Sequence, residues 1–161
     1  MADRATASIL IGGPIPRSCI SGLIAAIDLD GGRADWEGEA FTEISVSSGE
    51  AIEAYAYELP GGIFQETESF CEHHGIAFVR SSGSCAGVFG PERAVFTGVR
   101  PAAYFDLSEC DEVVLTQSGL RALSSLPAIE GWFASAQFTP PPITIVEDEA
   151  FSPQACAVCH G

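Results

Sequence analysis

Lysine is absent from this chain. Its seven basic residues are all Arg, they face 22 Asp and Glu, and the formal net charge is −15. Nucleic-acid backbones are bound by cationic side chains that release counterions, so this composition argues against direct nucleic-acid binding, and by the same reasoning against an anionic membrane surface. A long apolar run is also missing: nothing approaches the ~20 residues that span a bilayer. The opening MADRATASILIGGPIP carries a single Arg and only a brief apolar stretch before Gly12-Gly13-Pro14, so it reads as a first strand rather than a secretion signal. Six cysteines without such a signal are expected as reduced thiols in a cytoplasmic protein.

What is present suits a folded domain. Hydrophobic residues make up 47% of the 161 and the mean hydropathy is +0.23, which is unlike a disordered acidic polypeptide. The negative charge is concentrated. Residues 28–72 hold twelve acids against Arg33 alone, a net of −11, whereas residues 1–27 are at +1 and residues 73–161 at −5. A field of that density steers a basic partner if the fold gathers it on one surface. If it does not, the charge serves solubility.

Residues 6–11 (TASILI) are β-prone and stop at Gly-Gly-Pro. Ile20, Leu23, Ile24 and Ile27 recur at helical spacing after Ser18, and Asp30-Gly31-Gly32 ends that helix. Ile44 and Val46 alternate with polar residues. Ile52, Ala54 and Ala56 alternate with Glu53, Tyr55 and Tyr57, and Ser48-Gly49 between the two runs predicts a hairpin. Ile63, Phe64, Thr67, Phe70, Cys71 and His74 line one helical face, with Glu66, Glu68 and Glu72 placed mainly on the other. Residues 76–80 (IAFVR) return as a strand.

The order is strand, helix, strand, strand, helix, strand. The expected fold class is therefore α+β, a ferredoxin-like split βαβ over residues 1–82, with an antiparallel or mixed sheet and two helices on one face. A C-terminal α/β extension over 83–147 is expected to pack on the same core. Its strands are placed at 94–99, 112–117 and 143–147, and its helix over 118–136 is broken at Pro127. Residues 148–161 read as a flexible tail. Pro140-Pro141-Pro142 reads as a stiff connector, with a polyproline II ligand as the less economical reading.

Motif chemistry is sparse. The chain ends in CAVCHG, formally the c-type haem attachment pattern. Haem attachment needs export and a fold to cover the haem, and neither is apparent in the sequence. Zinc suits the same residues better. Cys156 and Cys159 have knuckle spacing, and Cys71 and His74, one helical turn apart, would complete a Cys3His set. Cys71 and His74 also suit the apolar face of their helix, where a buried thiol and imidazole are ordinary filling. Gly83-Ser84-Cys85-Ala86-Gly87 fits a nucleophile elbow with Cys85 as the thiol, but the Val-Phe-Gly-Pro that follows is a poor helix start.

In the split βαβ arrangement Phe41, Glu43, Glu53, Tyr55 and Tyr57 face away from the helices. Either the C-terminal region covers them or they form an acidic, aromatic surface for a protein. The expectation is a non-enzymatic acidic binding protein. It would neutralise a basic, nucleic-acid-handling protein through Glu43, Glu53, Glu58, Glu66, Glu68 and Glu72 together with Tyr55 and Tyr57. Anti-CRISPR and anti-restriction proteins and immunity proteins against nuclease toxins are comparable in charge and size, not in motif. The alternatives are a small zinc or thiol-dependent metalloprotein using Cys71, His74, Cys156 and Cys159, or a structural subunit of a larger assembly.

Overall fold

A computed structural model describes residues 3–150. The chain builds an α+β fold on a five-stranded antiparallel sheet. β1 (Arg4–Gly12) is its second strand. Ala5, Ala7, Ile9 and Ile11 point to one face and are buried, while Thr6, Ser8 and Leu10 point to the other. After a short β2 (Pro14–Pro16), helix α1 (Ile20–Leu29) crosses the first face and buries Ile20, Leu23, Ala26 and Ile27. β3 (Ile52–Pro60) then pairs antiparallel with one side of β1. Helix α2 (Gln65–His74) packs beside α1, and β4 (Ala77–Ser82) pairs antiparallel with the other side of β1.

Because β3 and β4 both oppose β1, they run parallel to each other with β1 between them. Helix α2 lies between these two strands in the chain. The expected hairpin partner of β3 is not a strand. Glu43–Ser45 form a 3-10 turn instead, and Ile44 is 94% exposed. Local hydrogen bonds explain the difference. The Thr42 amide donates to Ser45 Oγ at 3.1 Å and the Ser45 amide to the Thr42 carbonyl at 2.9 Å, which closes the segment on itself. Both sides of β1 are already taken, and the outer edge of β3 is partly closed by Arg33, whose backbone bonds both ways with Tyr55 at 2.9 and 2.8 Å.

β5 (Glu92–Phe96) and β6 (Ala103–Asp106) extend the same sheet, giving the order β3-β1-β4-β5-β6. Residues 112–117, expected as a strand, contribute only a bridge between Leu107 and Val113. The helical region is two helices, α3 (Gln117–Leu123) and α4 (Leu126–Ala136). The break falls at Ser124-Ser125, before Pro127. Proline sits in the first turn of α4, where its missing N–H costs nothing, and Ser125 caps that turn by accepting from the Ala128 amide at 3.3 Å. α4 lies on the second sheet face, where Trp132, Phe138 and Ala136 meet Val79, Val95 and Phe105. β7 (Thr144–Val146) returns to pair in parallel with β2.

Two polar devices fix the helix layer. Asp30, at the end of α1, accepts from the Glu66 and Thr67 amides at 3.2 and 2.8 Å and from the Thr67 hydroxyl at 2.7 Å, so it caps α2 in place of an adjacent residue. Inside the layer Arg80 of β4 is fully buried. Its Nε donates to Glu68 at 2.9 Å, Nη1 to Ser82 Oγ at 3.0 Å and Nη2 to Glu92 at 2.9 Å. No helix among the described residues is long and apolar enough to cross a membrane.

Candidate acidic and aromatic surface

α4 covers the β5–β6 half of the second sheet face and leaves the β3–β1 half open. On that open half β3 presents Glu53, Tyr55 and Tyr57, as strand alternation requires. A residue outside the expected set joins them. Trp36, carried by the connection after α1, packs across both tyrosines with ring centroids 4.8 Å from Tyr55 and 5.0 Å from Tyr57. Trp36 and Tyr57 remain 41% and 57% exposed, unusually open for a three-ring cluster. The sequence signal for Trp36 was its neighbourhood alone, Asp35-Trp36-Glu37.

Charge surrounds these rings. Donation of its hydroxyl to the Glu53 carboxylate, followed by burial and the negative charges of Glu53 and Asp35, raises the Tyr55 hydroxyl above its ordinary pKa. β3 ends in a bulge: Tyr57 and Glu58 together oppose Thr6, between the pairs Ala7–Ala56 and Ala5–Leu59. Glu58 takes a left-handed φ of 54°, and its carbonyl accepts from Arg4 at 2.6 Å. The bulge turns Tyr57 and Glu58 over the rim of the sheet, where they line a cleft of about 400 Å³ with Asp30, Gln65 and Glu66. Glu53, Tyr55, Tyr57 and Glu58 therefore follow one another along β3, and Glu66 of α2 joins Tyr57 and Glu58 only at this cleft.

On the other side of Trp36 runs a groove floored by Thr6, Ser8 and Ser81. Its far wall carries Ser108, Glu109 and Asp111, and the volume beside Trp36 is about 270 Å³. Carboxylates thus flank both sides of an open, hydroxyl-lined strip of sheet.

The remaining expected residues are elsewhere. Glu68 is 6% exposed and paired with Arg80, so it belongs to the core and not to the surface. Burial pushes its carboxyl above the usual range, against the attraction of Arg80, which holds it down. Glu72 is half-buried, 4.0 Å from Arg100. Glu43 sits in the exposed 3-10 turn, and Phe41 packs against the helix-side core instead of the open face.

Cys71 is wholly buried among apolar side chains, which raises its thiol far above the ordinary value. His74, one turn on, points Nδ1 at the sulfur of Cys19, 3.6 Å away. Cys156 and Cys159 lie outside the described residues, and among the described residues no three His, Cys, Asp or Glu side chains converge as a metal site. Cys85 occupies a tight turn, its amide bonded to the Phe89 carbonyl at 2.9 Å and its carbonyl to the Val88 amide at 2.9 Å. No helix follows it to form an elbow. Comparison with known proteins gives no matching family, curated protein or solved structure.

Proposed function

We propose that the protein binds a basic protein partner through the open face and rim of β3, and that it acts by occupying a surface the partner otherwise uses for anions such as nucleic-acid phosphates. The observation that carries this reading is the exposed Trp36–Tyr55–Tyr57 cluster set among Asp35, Glu53, Glu58 and Glu66. Aromatic side chains supply interface anchoring at low conformational cost, and carboxylates around them select Arg- and Lys-rich surfaces. With net charge −15, long-range attraction raises the encounter rate with such a partner.

The test is capture from host extract at about 50 mM and about 500 mM salt, followed by kinetics on the purified pair. Association is expected to slow about 10- to 100-fold across that range. The triple reversal D35R/E53K/E66K is expected to abolish it at low salt, and Trp36→Ala to speed dissociation about 30-fold or more, as loss of a ~2 kcal/mol anchor does. Association that ignores salt and survives the triple reversal would sink this reading.

A further inference from the structure

The middle of the second sheet face is polar, although α4 and Trp36 stand on either side of it. Ser8 of β1 lies directly opposite Tyr55 of β3 on one side and Ser81 of β4 on the other, and Ser81 lies opposite Arg93 of β5. Cross-strand partners point to the same face, here the one away from α1 and α2. Tyr55, Ser8, Ser81 and Arg93 therefore form one row across the sheet, with neighbouring strands about 4.8 Å apart. Ser82, on the opposite face, has its hydroxyl tied to Arg80 and to the Glu92 carbonyl. Ser8 and Ser81 are half-buried and have no such partner among the described residues.

Two cavities meet on this row. The one beside Trp36, of about 270 Å³, and a second of about 280 Å³ beside Gln137 and Phe138 both include Ser8 and Ser81. Together they make a straight groove over β1 from Thr6 to Leu10, four residue steps or about 13 Å at the rise of a strand. Arg93 borders it and is loosely held. Its Nη1 donates to the Ala136 carbonyl at 3.3 Å and Nη2 to Asp111 at 3.5 Å, while Nε is buried without a partner among the described residues. A buried donor left unpaired is costly, so this guanidinium has hydrogen bonds to offer an incoming oxygen.

We infer that this groove binds a neutral, extended oligosaccharide of two or three glucose-type rings. A pyranose with equatorial hydroxyls has two apolar C–H faces and a rim of hydroxyls that both donate and accept. One such face matches the exposed indole of Trp36, which walls the groove. The rim matches serine hydroxyls that also do both, carboxylates that only accept and a guanidinium that only donates. Few convergent polar groups in a concave, partly apolar setting are the general form of a small-ligand site. Charge narrows the class further. Glu53, Glu109 and Asp111 border the groove in a chain of net charge −15, which opposes uronic acids and other anionic sugars. A straight groove along a strand suits a β-1,4-linked chain, which is extended, over an α-1,4-linked one, which coils. The site lies over β1 and β4, whereas the reading of a basic partner uses the rim at Glu58 and Glu66; Trp36 and Glu53 border both.

The experiment titrates the full chain with cellotriose, maltotriose and trigalacturonic acid, read by tryptophan fluorescence and by proton–nitrogen spectra of the backbone amides. Cellotriose is expected to bind with a Kd of about 1 mM or tighter, to shift the amides of Ser8, Ser81 and Arg93, and to bind better than maltotriose. Trigalacturonic acid is expected to leave both signals unchanged. Ser8→Ala and Ser81→Ala should each weaken cellotriose binding about fivefold and the double variant about 20-fold, as loss of one hydrogen bond each does. Capture of a basic partner should be unaffected by that double variant, whereas Glu58→Lys with Glu66→Lys should weaken the capture and leave cellotriose bound. No amide shift at about 10 mM cellotriose overturns the inference. So does wild-type affinity in the double serine variant, or equal affinity for either of the other two sugars. If the double serine variant loses the basic partner, the groove holds an extended segment of that protein and the inference falls.

Discussion

Arg80→Ala is expected to cost about 3–5 kcal/mol of unfolding free energy, a large share of the roughly 5–15 kcal/mol that holds a typical domain folded. The guanidinium is fully buried on the helix side of the sheet and supplies three hydrogen bonds, to Glu68, Ser82 and Glu92. Removing it leaves Glu68 enclosed without its counter-charge, while the Phe64 amide at 3.1 Å is the one donor still directed at that oxygen. The loss is set by the orphaned carboxylate rather than by the pair's intrinsic strength, so Arg80→Leu combined with Glu68→Leu should recover more than half of it. The deficit should also depend on pH. A carboxyl whose folded pKa lies above its unfolded value near 4.5 binds its proton more tightly in the fold, so stability falls as pH rises from 4.5 through the folded pKa. Without Arg80 that folded pKa climbs further. The gap between variant and wild type should therefore be wider at pH 7.5 than at pH 5, measured by urea unfolding at both. A gap that is small, or that widens on acidification, would show that Glu68 is not held by Arg80.

That ion pair also marks where the sequence could and could not be read. Strand alternation in Ile52–Tyr57 identified both faces of β3, because one face is buried and a period of two leaves no choice of side. The helix 63–74 was recognisable as a helix, but its inward stripe is Phe64, Thr67, Glu68 and Cys71. A charged residue in that stripe looks like an outward one until its partner is known, and the partner stands twelve residues away in a strand where Arg80 looked terminal. The Ile44–Val46 strand failed for the opposite reason. Its alternation was genuine but short, and Thr42–Ser45 hydrogen bonds gave the backbone a local alternative. Of the candidate surface, Glu53, Tyr55, Tyr57, Glu58 and Glu66 were legible as residues of one acidic stretch. Trp36 was not, since only the return of the 30–40 connection to the edge of β3, through Arg33 and Tyr55, places it there.

The C-terminal segment depends on a single missing side chain. Gly12 lies at the end of β1 with its α-carbon against Pro141; a β-carbon there would stand 2.0 Å from the Pro141 carbonyl oxygen and 3.3 Å from the Pro140 ring. Both obstacles are stiff, because one is backbone and the other is a proline. Gly12→Ala must therefore push the 140–146 segment away from the β1–β2 corner. That breaks the bond from the Gly13 amide to the Pro141 carbonyl at 2.8 Å and the bond from the Thr144 amide to the Gly13 carbonyl at 3.0 Å. The expected cost is about 3 kcal/mol, the upper range for overpacking, with faster hydrogen exchange at Gly13 and Thr144 than at core amides such as Ile9. Gly31→Ala is the control. Gly31 has φ +75°, and a methyl added there would meet nothing within 4 Å, so it tests left-handed strain alone and should cost about 1 kcal/mol. If the two variants are equally mild and Thr144 stays protected, the proline segment is not seated on Gly12.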